Sequence, residues 1–325
     1  MTARPDTALE DVVVETAARL HFGVLDLRGA LGRRFGGIGA SAPAPTLRVS
    51  ARPSDALCVE GEDADRAAEF ARRFQAHFGA KAGVHVRVER TLPSHAGLGS
   101  GTQLALAVAR AMAEVLGVSA DVPELARAVG RTKRSAIGTW TFAGGGLVVE
   151  GGRRREGEGV APLVARIPFP SSWRCVVAVP NVGGGMSGAH EAEALGQLPP
   201  VDERDVERVA HLVLMSLLPA VADADIDAFG AALTAIQSIT GRWFASVQGG
   251  TFAAGMSADL VARMPQWGAA GVGQSSWGPT VYGVVDGEDA GAALAERVRG
   301  AVGASGVVYE GPFRSQGACV SRTMR

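Results

Sequence analysis

The chain has 325 residues, 47% hydrophobic and 20% charged, with 32 Lys+Arg against 33 Asp+Glu and a formal net charge of −1. That composition excludes a disordered chain and leaves room for one large domain or two ordinary ones. The charge balance argues against a general nucleic-acid binder, and the longest strongly apolar run, around His211 to Ala222, stops well short of a ~18-residue membrane span and contains Pro219.

In chain order, Val12 to Thr16 reads as a strand, followed by a Gly- and Arg-rich stretch from Ala18 to Ser41. Leu47 to Ser50 and Leu57 to Glu60 read as short strands. Ala67, Phe70, Ala71, Phe74 and Phe78 recur at helical spacing and predict a helix over Asp63 to Phe78. Val84, Val86 and Val88 alternate with polar residues, as in a half-buried strand. A long helix follows from about Thr102 to Leu116 and stops at Gly117, and Asp121 with Pro123 starts another that runs to about Val129. Leu147 to Glu150 is a strand. Gly151 to Gly159 is a charged turn whose Arg153, Arg154 and Arg155 read as solvated.

The second half begins with a strand over Cys175 to Val179. Amphipathic helices are predicted over Glu203 to Leu218 and Asp225 to Ile239, with a short helix over Ser257 to Met264. A strand (Thr280 to Val285), a helix (Asp289 to Val302) and a strand (Val307 to Glu310) complete the pattern. The sum is a mixed α+β chain in two lobes divided near residues 155 to 165, without the regular strand–helix alternation of a doubly wound sheet.

Gly numbers 44, about twice the usual share of ~7%, and has no collagen-like period, so the glycines belong to loops and close backbone approaches. Only Lys81 and Lys133 are lysines, so an anion site must draw on Arg, backbone N–H groups or metal. Cys58, Cys175 and Cys319 are far apart and read as small buried hydrophobes, with no zinc motif or disulfide framework. With no secretory h-region at the start, a reducing cytoplasm fits.

The strongest local signal is Pro93-Ser94-His95-Ala96-Gly97-Leu98-Gly99-Ser100-Gly101-Thr102, between a predicted strand and a predicted helix. Glycines let the backbone approach an anion, and the helix N-terminus aims free N–H groups and a partial positive charge at it. Ser100 and Thr102 add hydroxyl donors or metal contacts. It is neither a P-loop nor a dinucleotide fingerprint, and residue types alone leave open a Gly-rich turn that caps a packed helix.

The pattern P-x-x-x-G-L-G-S resembles the phosphate-binding motif of the GHMP kinase superfamily. The resemblance covers most of the chain, through to Gly271-Val272-Gly273-Gln274-Ser275-Ser276-Trp277-Gly278-Pro279. It implies an α+β fold with an N-terminal lobe like ribosomal protein S5 domain 2 over residues 1–160, a C-terminal ferredoxin-like lobe over 161–325, and an active site between them. The chain departs from the kinases in two places. They continue G-L-G-S-S-A, where this sequence has Gly-Leu-Gly-Ser-Gly-Thr-Gln, and several carry a catalytic Asp where the segment Arg134 to Gly146 has no carboxylate.

Arg19-Leu20-His21-Phe22-Gly23, Asp26-Leu27-Arg28-Gly29, Arg34-Phe35-Gly36-Gly37-Ile38-Gly39, Arg134-Ser135-x-Ile137-Gly138-Thr139 and Gln274 to Pro279 are similar to the β-ribofuranosylaminobenzene 5′-phosphate synthase family. That family joins phosphoribosyl pyrophosphate to 4-aminobenzoate or 4-hydroxybenzoate, releases CO2 and pyrophosphate, and forms a carbon–carbon glycosidic bond on the way to tetrahydromethanopterin. The resemblance implies small-molecule substrates, Mg²⁺ and a homodimer.

Under that resemblance, pyrophosphate falls to Gly97, Leu98, Gly99, Ser100, Gly101 and Thr102, with Pro93 and His95 beside them and Mg²⁺ at Ser100 or Thr102. Asp26 and Glu191 are candidates for metal, ribose hydroxyls or proton handling, and His21 for an acid or orienting donor. Arg19, Arg28 and Arg34 are candidate clamps for phosphate or carboxylate, because a guanidinium pairs bidentately with both. Ser135, Thr139, Gln274, Ser275 and Ser276 are candidate polar contacts, and Trp277 a stacking surface for the aromatic ring. The run Asn181 to Gly188 reads as a loop over the site. The competing readings are a small-molecule kinase of the same superfamily, using ATP and Mg²⁺, and a catalytically inert binding member.

Overall fold

The computed structural model describes residues 11–133, 135–154, 156–157, 159–181 and 193–323. The chain opens with a long antiparallel hairpin, β1 (Asp11–Asp26) and β2 (Arg33–Ser54). It absorbs the whole Gly- and Arg-rich stretch, Ala18 to Ser41, to which the sequence assigns no element. The glycines are there for packing: a Cβ on Gly39 would lie 2.6 Å from Cγ2 of Ile137, so a helix can press flat on the strand.

β3 (Cys58–Gly61), helix α1 (Ala64–Phe78) and β4 (Gly83–Arg90) follow, then α2 (Ser100–Leu116) and α3 (Val122–Ala128), close to the sequence expectations. Asp121 caps α3 by accepting from the Glu124 N–H at 2.7 Å. α4 (Ile137–Gly144) falls in a segment where no helix is predicted. β5 (Leu147–Glu150), β6 (Arg153–Arg154) and β7 (Leu163–Ile167) return to the first sheet. That sheet has eight strands: β1, β2, β4 and β3 run side by side in that order, the last strand of the described chain (Cys319–Thr323) lies outside β1, β5 and β6 pair with β2, and β7 with β5.

The second sheet has the order β11-β8-β10-β9 and is antiparallel throughout. Its strands are β8 (Trp173–Pro180), β9 (Gly271–Gln274), β10 (Val281–Asp286) and β11 (Gly306–Pro312). The helices of this half are α5 (Glu203–Leu212), α6 (Leu218–Ala222), α7 (Ile226–Gln248), α8 (Met256–Arg263) and α9 (Glu288–Val302). α5 passes into α6 through a π-helical turn, Val213–Leu217. Pro219 explains the widening, because it has no N–H to give the preceding turn. α7 runs nine residues beyond its predicted end, to a left-handed Gly249 with φ 81°.

The last strand, β12 (Cys319–Thr323), pairs with β1 across the full sequence. Among described pairings only β3–β4 is parallel, so the chain is α+β as the sequence suggests. One apolar core spans both halves, with Phe22 of β1 against Tyr282 of β10 at 4.9 Å between ring centres. Cys175 is buried in it, but Cys58 and Cys319 are exposed on edge strands, contrary to the expectation of three buried thiols. No helix among the described residues is long and apolar enough to cross a membrane.

Candidate active site

The glycine loop joins β4 to α2, and its shape is set by close approaches. Gly97 and Gly99 have φ 78° and 75°, and the exposed His95 shares the left-handed region at 55°. A Cβ on Gly97 would fall on the Ser275 carbonyl oxygen, and one on Gly99 would lie 2.8 Å from Cγ of Arg19. The loop carbonyls are taken by protein donors. Arg19 Nη1 donates to Gly97 O at 2.7 Å, the Arg19 N–H to Leu98 O at 3.0 Å, and Ser275 Oγ to Gly97 O at 2.6 Å. The His21 N–H in turn donates to Ser275 Oγ at 2.9 Å. Three segments far apart in sequence, β1, the loop and the late glycine motif, therefore lock together.

They enclose a cavity of about 510 Å³. Its wall is cationic around the loop, with Arg19, Arg66, Arg131 and Lys133. A Cβ on Gly101 would lie 2.8 Å from both Arg66 Nη2 and Arg131 Nη2, so two guanidiniums flank the first turn of α2. Aromatic rings also line it: Trp277, edge-on to Phe244 at 4.9 Å, with Phe35 and Phe252. No carboxylate is among the described residues that line it.

Of the residues expected at the site, Arg19, His21, His95, Gly97 to Thr102, Ser135, Gln274, Ser276 and Trp277 line this cavity. Pro93 stands before the loop, off the wall. Ser275 is fully buried and its hydroxyl is spent on Gly97 and His21, so it clasps the loop where phosphate contact was expected. Thr139 is buried within α4, away from the wall. Gln274 is committed to the Ala253 N–H, Ser276 O and Gln248. Asp26 accepts from the N–H groups of Arg28 and Gly29 at 2.6 and 3.0 Å and so holds the β1–β2 turn. Arg28 pairs with Glu203 at 3.0 Å, and Arg34 gives its Nε–H to Leu27 O at 2.7 Å. Both line a second cavity, not the first. Glu191 and the 182–188 part of the expected loop lie outside the described residues.

His21 cannot be an acid near neutral pH. Burial, and then the neighbouring Arg19 charge, hold its pKa down to about 3. The imidazole is neutral and keeps only the orienting role. Ser135 is backed by Glu150, whose buried carboxylate also accepts from the N–H groups of Gly152 at 2.7 Å and Ala136 at 3.3 Å. Burial pushes this carboxyl above its usual range.

Residues 65–145 match the family model of the GHMP kinases N terminal domain. A β-ribofuranosylphenol 5′-phosphate synthase of Methanothermobacter thermautotrophicus is 35% identical over 297 residues, covering 85% of this chain and 89% of that protein. The protein of the same name from Archaeoglobus fulgidus is 35% identical over 285 residues, 84% and 87% of the two chains. The chain belongs to the β-ribofuranosylphenol 5′-phosphate synthase family, within the GHMP kinase superfamily. It is an enzyme. Homoserine kinase from Cytophaga hutchinsonii shares the fold, with a TM-score of 0.70 over 99% of this chain and 100% of that one at 16% identity.

The sequence missed several residues that line this synthase-family cavity: Arg66, Arg131, Lys133, Phe35, Thr240, Phe244 and Gln248. Lys133 is one of only two lysines, yet it stands at the cavity that the scarcity of lysine seemed to leave to arginine. The run Arg131-Thr132-Lys133 just before Ser135 was a usable signal. Phe244 and Gln248 had none, because the apolar period of α7 weakens where its face turns from core to cleft.

Proposed function

We propose that the protein is a glycosyltransferase that condenses phosphoribosyl pyrophosphate with a 4-substituted benzoate, releasing CO2 and pyrophosphate. The observation that carries this reading is one cavity lined both by a cationic glycine loop and by the Trp277–Phe244 pair. The relatives are named for a ribofuranosylphenol product. Carried to this chain, that favours 4-hydroxybenzoate over 4-aminobenzoate.

In the proposed reaction the C1–O bond of the donor breaks and its electron pair leaves with pyrophosphate. The ring carbon that bears the carboxylate forms the new bond to C1. The bond to the carboxyl carbon then breaks, its electrons restore the aromatic ring, and CO2 departs. No proton is removed in this sequence, which agrees with a wall of cations, hydroxyls and aromatics. Arg66, Arg131, Lys133 and the first N–H groups of α2 would meet the charge that grows on pyrophosphate. Arg19 holds the loop. Trp277 and Phe244 orient the ring and exclude water around it.

Mg²⁺ fits this site as a passenger on the substrate. Among the described residues no cluster of three acidic, His or Cys side chains could hold it, so the diphosphate oxygens would carry it with Ser100 and Thr102 as hydroxyl contacts. When bound it supplies charge neutralisation on the leaving group. Purified protein with phosphoribosyl pyrophosphate, Mg²⁺ and either benzoate should yield equal amounts of CO2 and pyrophosphate. Neither product from either acceptor would reject the reading, and ADP formation from ATP with a sugar or amino-alcohol would favour the kinase.

A further inference from the structure

A second cavity of about 480 Å³ lies beside the first and is walled by Arg28, Arg34, Phe35, Arg153 and Arg154. Its cations are brought together by strand register. β6 pairs with β2 so that Arg34 stands opposite Arg153 and Arg33 opposite Arg154. Like charges directly opposite in an antiparallel pair are destabilising, so this ladder opposes folding unless something answers its charge.

Little among the described residues answers it. Arg28 is paired with Glu203, but Arg34 gives its Nε–H to a carbonyl, and Arg153 gives an N–H to the Lys133 carbonyl. Among the described residues Arg34, Arg153 and Arg154 form no salt bridge, and the buried Nε of Arg153 has no hydrogen-bond partner. Glu150 ends the strand behind this turn, but its carboxylate is buried and spent on backbone N–H groups.

Phe35 connects the two cavities, because its side chain lines both. It holds φ 75°, a backbone conformation strained for a bulky residue, which tends to persist where a site is being shaped. The Arg34 guanidinium lies over its ring at 5.2 Å.

We infer that the Arg28–Arg34–Arg153–Arg154 cavity is a second anion site that takes a phosphate monoester. Resting on the donor proposed above, it holds the 5′-phosphate of the ribose while the glycine loop holds the diphosphate at C1. Planar forks from two strands suit a dianionic phosphate, and a bound phosphate removes the repulsion between the strands. The sugar then passes Phe35 from one cavity to the other, which fixes the direction in which C1 meets the aromatic acceptor.

The test is calorimetric titration of the full-length protein with ribose 5-phosphate and, separately, with inorganic pyrophosphate. The inference expects the double variant Arg34→Gln/Arg153→Gln to bind ribose 5-phosphate at least tenfold more weakly and pyrophosphate within twofold of wild type. Its melting temperature should stay level or rise, since a repulsive cross-strand pair has been removed. The single variant Arg153→Gln carries the same test should the double variant fold poorly. Unchanged affinity for ribose 5-phosphate in the variants, or no binding by wild type, overturns the inference. Its failure is distinct from failure of the proposed reaction: the binding assay needs no benzoate, CO2 or turnover.

Discussion

Ser275 Oγ donates a 2.6 Å hydrogen bond to the carbonyl of Gly97, joining residues 178 positions apart. The same oxygen accepts the His21 N–H. One hydroxyl therefore fixes the distance between β1, the glycine loop and β9. Substituting Ser275 by Ala takes the acceptor from the buried His21 N–H and leaves the Gly97 carbonyl to Arg19 alone. A loss of about 1–3 kcal/mol in unfolding free energy is expected, read by denaturant titration. Turnover should fall as well, since the loop is no longer held against the second sheet.

Gly97 and Gly99 should respond differently to added bulk. At Gly97 a Cβ meets the rigid Ser275 carbonyl, so Gly97→Ala should lower the melting temperature. At Gly99 it meets Cγ of Arg19, the stem of a longer side chain that can shift. Gly99→Val should lower the melting temperature through its φ of 75° rather than through that contact, and should abolish turnover in the folded fraction by blocking backbone approach to the diphosphate. Wild-type-like turnover in Gly99→Val would remove the loop from the site.

His21 makes stability depend on pH. In the unfolded chain it titrates near 6.5, and in the folded protein near 3. Between these values the unfolded state binds more protons, so folding is favoured as pH rises. The stability at neutral pH is fully present above about 6.5 and drains as pH falls toward 3, at about 1.4 kcal/mol per pH unit. Chemical denaturation at pH 6, 5 and 4 should show this slope, and His21→Asn should flatten it.

The cationic and the aromatic residues of the wall should separate kinetically. Lys133→Ala should raise KM for the ribosyl donor about tenfold, equivalent to about 1.4 kcal/mol, with little change in KM for the acceptor. Trp277→Ala should do the reverse, raising KM for the benzoate. A steady-state matrix with both substrates varied reads both effects, and a shared KM change in both variants would argue against that separation.

Much of this protein is legible in its sequence because the signals are local. The apolar period of Ala67, Phe70, Ala71 and Phe74 and the stop at Gly117 report helices whose cause lies within a few residues. The loop from Gly97 to Thr102 shows its anion-binding character because left-handed glycines and a helix N-terminus are consecutive. Belonging to the family was visible in the same way, in short separated motifs.

What the tertiary structure decided is which side chains face the ligand. Ser275 looked like a phosphate contact and is a clasp, Asp26 holds a turn, Arg131 and Lys133 reach the wall from the connection before α4, and Phe244 reaches it from the far end of α7. The pairing of Arg34 with Arg153 exists only because β6 folds back on β2. Those outcomes depend on packing between residues tens to hundreds of positions apart. The sequence by itself determined most of the helices, the loop and the family, because each is set by neighbours along the chain. Contacts across the chain decided where the charges and aromatic rings converge.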